Sequence, residues 1–339
     1  MTEPAFLLSA HEARTRARKA LSPETWRYLE TRADVSFRDR NSAAWRILDL
    51  RPRVLRGVSH PIDTAIRCLG KMLPTPILTA PNGRATRYHP DGELAVMAGA
   101  AAGGAGVTLA STALHAIQAA SERPPVLWTQ IYLSGDHGHD AEVAARAFMA
   151  GAHALVVTVD LAPRAGVRAP PAPIASWETQ ASSPSPAPVH AAASLKDLER
   201  LCRASPLPVV VKGVLRADDA LACTEVGARA LVVSNHGDAQ LAGAIPTADA
   251  LAEVAPAVGN RAEVYVDGGI RDGVAILRAM ALGATGVLVG RPVSHALAAA
   301  GAEGVHGLIA WLTADLTRAM ALCGISSVSE VTPDLIRQR

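Results

Sequence analysis

The chain has 339 residues, 49% of them apolar and 4% aromatic, and carries a formal net charge of +2. That length can bury a sizeable core as one large domain or two ordinary ones, and the near-neutral charge gives no basis for a nucleic-acid or membrane partner. No apolar stretch is long enough to span a bilayer, and in MTEPAFLLSAHEARTRARK the basic residues follow a very short apolar run, the wrong order for a secretory signal, so a cytoplasmic location is expected.

Residues 1–73 read as a helical and irregular segment, Arg-rich, with Ser22-Pro23-Glu24 as cap and first turn of a helix carrying Trp26, Tyr28 and Leu29. This segment is expected to pack outside a larger core. A different rhythm starts at Pro76: a short apolar run, a Gly-rich or polar edge, then an Ala-rich helical stretch, repeated. Strands are predicted at Ile77 to Ala80, Val107 to Ala110, Val126 to Ile131, Ala154 to Val159, Pro208 to Val211, Ala230 to Val233, Glu263 to Val266 and Gly286 to Val289. Helices are predicted between them, among others at Asp91 to Ala102, Asp140 to Ala150, Ala217 to Val226 and Asp272 to Ala281. Eight strand-helix units in series indicate an α/β fold of the (β/α)8 TIM-barrel type over 74–339, in one domain with the N-terminal segment. One stretch breaks the rhythm. Leu161 to Leu195 is rich in Pro, Ala and Ser without helical period, and reads as a long loop after strand four above the barrel mouth. Cys68, Cys202, Cys223 and Cys323 are far apart and form no CxxC pair, so neither a zinc site nor a disulfide framework is signalled and no metal is expected.

Chemistry in such a barrel sits at the C-terminal ends of the strands. The polar residues there are Asn82 and Arg84 after strand one, Ser111 after two, Gln130 and Tyr132 at three, Thr158 and Asp160 at four, Lys212 at five, Ser234 and His236 at six, Asp267 at seven, and Gly290 with Arg291 at eight. Lys212 follows an apolar run, and a buried ammonium is costly unless paired; an anionic or electron-rich ligand is one partner, a structural acid another. Asp267-Gly-Gly-Ile-Arg271 and Gly290-Arg291 close consecutive strands with glycines and arginines, where barrels commonly bind phosphate. His236 lies in SNHGDAQ with no second ligand at metal spacing; it reads as a general base that Asp160 could reach across from another strand to hold, or as a satisfied core histidine.

SNHGDAQL, the lysine of VVVKG, VDGGIRDG, VLVGRP, TQIY, LVVTVD and APNGRATRYHPDGE, in this order-bearing set from about Leu21 to Ile336, resemble the FMN-dependent 2-hydroxy acid oxidase and dehydrogenase family, which includes glycolate oxidase, lactate oxidase and mandelate dehydrogenase. The resemblance implies a barrel holding FMN non-covalently. It implies a phosphate held by Gly268, Gly269 and Arg291 with Asp267, Arg271 and Gly290 close by, and Lys212 near the flavin N1 and O2 edge with Ser234 beside it. Gln130 and Thr158 would meet the pyrimidine end, and Pro81, Asn82 and Gly83 the N5 side. It further implies that His236 takes the substrate hydroxyl proton while hydride passes to the flavin, that Asp160 stabilises the imidazolium, and that Tyr28, Tyr132 and Arg168 grip the substrate. A small-molecule substrate, oxygen or another carrier as electron acceptor, and a homo-oligomer, tetrameric by analogy, complete the expectation.

The sequence also departs from the family pattern SNHGGRQLD: the arginine position is Ala239 and the aspartate position Ala242, and a flavin-contacting serine position is Ala110. An altered hydroxy or amino substrate, or eroded activity, is therefore expected, with Arg84 as a possible replacement guanidinium. Two other readings stand beside this one: a different FMN-barrel chemistry of the isomerase type, and a flavin-binding protein without catalysis.

Overall fold

The structure is a computed structural model that describes residues 4–30, 39–161 and 193–337. Its ten strands are β1 (Ile66–Cys68), β2 (Lys71–Leu73), β3 (Ile77–Thr79), β4 (Gly106–Ala110), β5 (Leu127–Ile131), β6 (Ala154–Thr158), β7 (Val209–Val214), β8 (Ala230–Val233), β9 (Glu263–Val266) and β10 (Gly286–Val289). Strands β3 to β10 close a parallel barrel in sequence order, with β10 pairing back onto β3. Their valines, leucines and alanines are buried almost throughout, because a barrel strand faces side chains inside and helices outside. Across the interior Trp128 meets Tyr265 edge to face at 5.1 Å.

The helices are α1 (Ala10–Ala20), α2 (Pro23–Glu30), α3 (Arg40–Arg46), α4 (Gly92–Ala102), α5 (Leu114–Ala119), α6 (His137–Met149), α7 (Leu195–Ala204), α8 (Ala217–Glu225), α9 (Thr247–Val258), α10 (Gly273–Ala281) and α11 (Arg291–Leu322). One helix follows each barrel strand, which makes this a (β/α)8 TIM barrel. The sequence-based boundaries hold within a few residues, with one consequential difference. Strand β7 does not stop at Val211 but runs through Lys212 and Gly213 to Val214, with an irregularity in its pairing to β8 between Lys212 and Val214. Helix α11 is broken at Ala300 and Gly301.

The N-terminal segment does more than pack on the outside. The β1–β2 hairpin lies at the bottom of the barrel, where the Leu69 amide donates to the Glu263 carboxylate and Tyr265 Oη donates to the same group at 2.6 Å. Helix α1 packs along α11 and is started by a reciprocal Ser9–Glu12 capping box. Helix α3 instead reaches the C-terminal ends of β8 and β9. There Trp45, 1% exposed, donates from Nε1 to the Gly268 carbonyl at 2.8 Å, and Ser42 Oγ donates to the Gly269 carbonyl at 3.1 Å.

Candidate active site

A cavity with ≈ 850 Å³ of empty space opens at the C-terminal ends of the strands. Of the residues singled out in the sequence, Pro81, Asn82, Lys212, His236, Asp267, Gly268, Gly269, Arg271, Gly290 and Arg291 line it. Lys212, 3% exposed, places Nζ 3.0 Å from Asp267 Oδ2 and donates to Ser234 Oγ at 2.8 Å. Its partner is therefore an acid that follows β9, two strands away in the barrel. The other Asp267 oxygen, Oδ1, is buried with no hydrogen-bond partner. At another wall Arg271 and Arg291 come together. Burial pushes the Arg271 guanidinium down to about 10, and the nearby charge of Arg291 pushes the same way. Two guanidiniums held in mutual repulsion are a place where an anion is welcome.

Ser234-Asn235-His236 leaves β8 in a tight turn. His236, Gly237 and Asp238 all take positive φ, at 56°, 65° and 65°. A left-handed conformation costs a non-glycine residue roughly 1–2 kcal/mol, so two such residues must be held by their surroundings. Ser234 Oγ accepts from the His236 amide at 3.1 Å, and Asn235 Oδ1 accepts from the Gly237 and Asp238 amides at 3.1 and 3.3 Å. The turn aims His236 Nδ1 at Asp160, with 3.2 and 3.3 Å to the two carboxylate oxygens. Burial alone would raise the Asp160 carboxyl, but the imidazole's hydrogen bond and charge, with Lys212, hold it below its ordinary value. An ionised carboxylate only accepts, so Nδ1 carries the proton and a neutral ring keeps its lone pair on Nε2. Gly213 makes this pairing possible: at φ 115° it leaves room where a Cβ would lie 2.7 Å from Asp160 Cβ.

Other predicted residues sit around the cavity rather than in its lining. Gln130 is buried at the end of β5 and donates from Nε2 to the Ile131 carbonyl at 2.7 Å; Thr158 is buried at the end of β6. Asn82, which does line the cavity, donates to Ser294 Oγ. Tyr132 follows β5, and Tyr28 on α2 lies under the Arg87 guanidinium at 4.4 Å from its ring centre. Gly83 and Arg84 are exposed, Arg84 with φ 60°, and the Arg84 side chain is not part of the cavity lining. Arg168 and nearly all of the Leu161 to Leu195 stretch lie outside the described residues. Ala239 lines the cavity, so the position of the missing arginine does face it.

Three residues were not foreseen. Asn41 on α3 bonds to the His236 turn. Glu30 at the end of α2 lines the cavity and accepts from His295 Nε2 at 2.9 Å and from Arg14 Nη2 at 2.7 Å. His295 is 4% exposed and stacks on Trp26 at 5.7 Å. These pairings join α1, α2 and α11, and no local spacing signals them.

The chain and its fold are similar to known proteins. Residues 17–338 match the family described as FMN-dependent dehydrogenase. The chain is 38% identical over 332 residues to an L-lactate oxidase of Nostoc sp., covering 90% of each, and 39% identical over 303 residues to a 4-hydroxymandelate oxidase of Amycolatopsis orientalis, covering 82% of this chain and 83% of that one. Among solved structures, a mandelate oxidase variant with 2-hydroxy-phenylacetamide superposes with a TM-score of 0.84 at 34% identity, over 98% of both chains. With nearly the full length matched, the chain belongs to the FMN-dependent dehydrogenase family.

Proposed function

We propose that this chain oxidises the hydroxyl-bearing carbon of a 2-hydroxy acid or a closely related alcohol, with FMN in the cavity and His236 as base. The observation that carries the reading is the His236–Asp160 pair on the wall of a cavity that also holds Lys212, Arg271 and Arg291. The lining suits FMN. Asp267 Oδ1, buried and unpartnered, fits a hydroxyl donor such as a ribityl chain carries. Arg271 and Arg291, with Gly268, Gly269 and Gly290, fit its phosphate. Lys212 would lie against the ring, and FMN supplies the two-electron acceptor.

The chain's own part is to orient the substrate and to move a proton. His236 Nε2, left basic by Asp160 on the far nitrogen, takes the substrate hydroxyl proton, and the Asp160 carboxylate stabilises the imidazolium that results. Tyr132, Tyr28 and Arg168 are the proposed contacts to the substrate. Relatives named as oxidases support oxygen as the final electron acceptor.

Ala239 in the lining favours a substrate that does not depend on a guanidinium from that position, such as a 2-hydroxy amide, a larger alcohol or an amine. The test is an absorbance spectrum of the purified protein, followed anaerobically as 2-hydroxy acids of increasing size, then 2-hydroxy amides and amines, are added. A yellow protein bleached by one class names the substrate. A yellow protein bleached by none overturns the catalytic reading, and a colourless one that takes up no added FMN overturns the cavity assignment.

A further inference from the structure

Asn41 is buried, 1% exposed, in the N-terminal segment, yet its side chain is spent on the far side of the sequence. Its Nδ2 donates to Asn235 Oδ1 at 2.9 Å and to Asp238 Oδ2 at 3.0 Å. Its Oδ1 accepts from Asn235 Nδ2 at 3.0 Å and from the Thr247 amide at 2.9 Å. Asn41 and Asn235 thus form a reciprocal amide pair, and Asp238 closes the ring by also accepting from Asn235 Nδ2 at 3.1 Å. These are the residues on either side of His236, which lies between Asn235 and the left-handed Asp238. The same Asn41 backs the other wall of the cavity, since a Cβ on Gly269 would lie 2.5 Å from its carbonyl carbon.

We infer that Asn41 is a positioning residue: through Asn235 and Asp238 it sets the backbone pose in which His236 meets both Asp160 and the substrate. Two non-glycine residues in a strained conformation relax when the bonds that hold them are removed. A fully satisfied buried network has one low-energy arrangement, whereas a half-satisfied one has several. Loss of Asn41 leaves the fold's hydrophobic core untouched but frees the turn, and the imidazole then spends less time in its working orientation. A misplacement on the order of 1 Å is enough to cost a large factor in rate.

This inference rests on His236 being the base, and the experiment separates the two. The rate at which bound flavin is bleached by a substrate under anaerobic conditions is measured for the FMN-loaded wild type and for Asn41→Ala, Asp238→Ala, Asp238→Asn, the double Asn41→Ala/Asp238→Ala variant and His236→Ala. Asn41→Ala and Asp238→Ala are each expected to lower the limiting rate roughly tenfold to hundredfold with little change in the substrate concentration for half-saturation. Asp238→Asn, which keeps one acceptor but turns an amide donor toward the Nδ2 of Asn41 or Asn235, is expected to lose less than Asp238→Ala without keeping the wild-type rate, and the double variant to be no slower than the slower single one, because both act on one pose. A double variant that loses the product of the two single losses overturns the inference. So does a wild-type rate in Asn41→Ala alongside a dead His236→Ala. A wild-type rate in His236→Ala overturns the base assignment and the positioning role with it. Should Asn41→Ala not fold, Asn41→Ser, which keeps a small polar group without reaching both partners, carries the same expectations.

Discussion

The two oxygens of Asp267 have opposite fates: Oδ2 sits 3.0 Å from Lys212 Nζ, while Oδ1 is buried with nothing to accept from. The first oxygen explains how a nearly fully buried ammonium is tolerated in the barrel mouth. The second leaves a desolvated acceptor that a bound hydroxyl would satisfy.

Asp267→Asn should therefore act on both stability and cofactor retention. It removes the only carboxylate bonded to Lys212 among the described residues and leaves a buried charge with neutral acceptors alone. Removing one partner of a buried pair costs about 3–5 kcal/mol. Urea unfolding of the apoprotein should show a loss of that order, and flavin fluorescence should show weaker FMN binding. Equal stability of wild type and variant would mean that the pair is not held as described.

Gly213→Ala tests how Asp160 is seated. The new methyl would lie 2.7 Å from Asp160 Cβ and on a backbone at φ 115°. Both effects destabilise, and the clash pushes Asp160 away from His236. The expected result is a melting point lowered by several degrees together with a fall in the rate of flavin bleaching. The measurement is informative because Gly213 itself touches no substrate. A variant that melts lower but bleaches at the wild-type rate would separate the glycine's structural role from the histidine's orientation.

The pairing of Glu30 with His295 predicts a stability that declines towards acid. Burial would raise the Glu30 carboxyl, but bonds from His295 and Arg14 outweigh it and bring it down from 4.5 to about 2. Burial also pushes His295 below its ordinary 6.5, against the pull of Glu30. Both folded values are depressed, so both groups stabilise above their unfolded values and lose that contribution as pH falls. His295 is lost first, below pH 6.5, and Glu30 between 4.5 and about 2. The bonds from His295 and Arg14 make the ionised Glu30 a stabilising group at neutral pH. Glu30→Gln should unfold at lower denaturant concentration at pH 7, and the gap to wild type should narrow below pH 4.5 and close only as pH falls through about 2.

What could be read from the sequence and what could not follow different physics. The eight strands were legible because each is a short run of Val, Leu and Ala bounded by polar or glycine residues, a local signal, and the same is true of the polar residues that end them. Lys212, His236 and the paired glycine loops announced themselves in this way. Asn41 and Glu30 did not, since an asparagine and a glutamate in an Arg-rich helical segment look like solvated surface. Their meaning comes from partners 194 and 265 positions away, Asn235 and His295. The extension of β7 through Gly213 was hidden for a related reason: it is fixed by the pairing of Val214 with Val233 on β8, across an irregularity after Lys212, and not by the residues of β7 alone.

The last prediction concerns Ala239. Its side chain borders the cavity next to His236 and Gly237, where an arginine would be within reach of a substrate carboxylate. Hydrogen bonds to a charged partner contribute about 1.5–3 kcal/mol, so Ala239→Arg should tighten small 2-hydroxy acids roughly tenfold to hundredfold in half-saturating concentration. For uncharged 2-hydroxy amides it should do nothing or hinder, because the new guanidinium must be desolvated without an anion in return. Anaerobic bleaching titrations of wild type and variant with a matched acid and amide pair give both numbers from one preparation. Opposite changes for acid and amide would identify position 239 as a specificity switch in this cavity. Equal changes for both would mean that position 239 does not read the charge of the substrate.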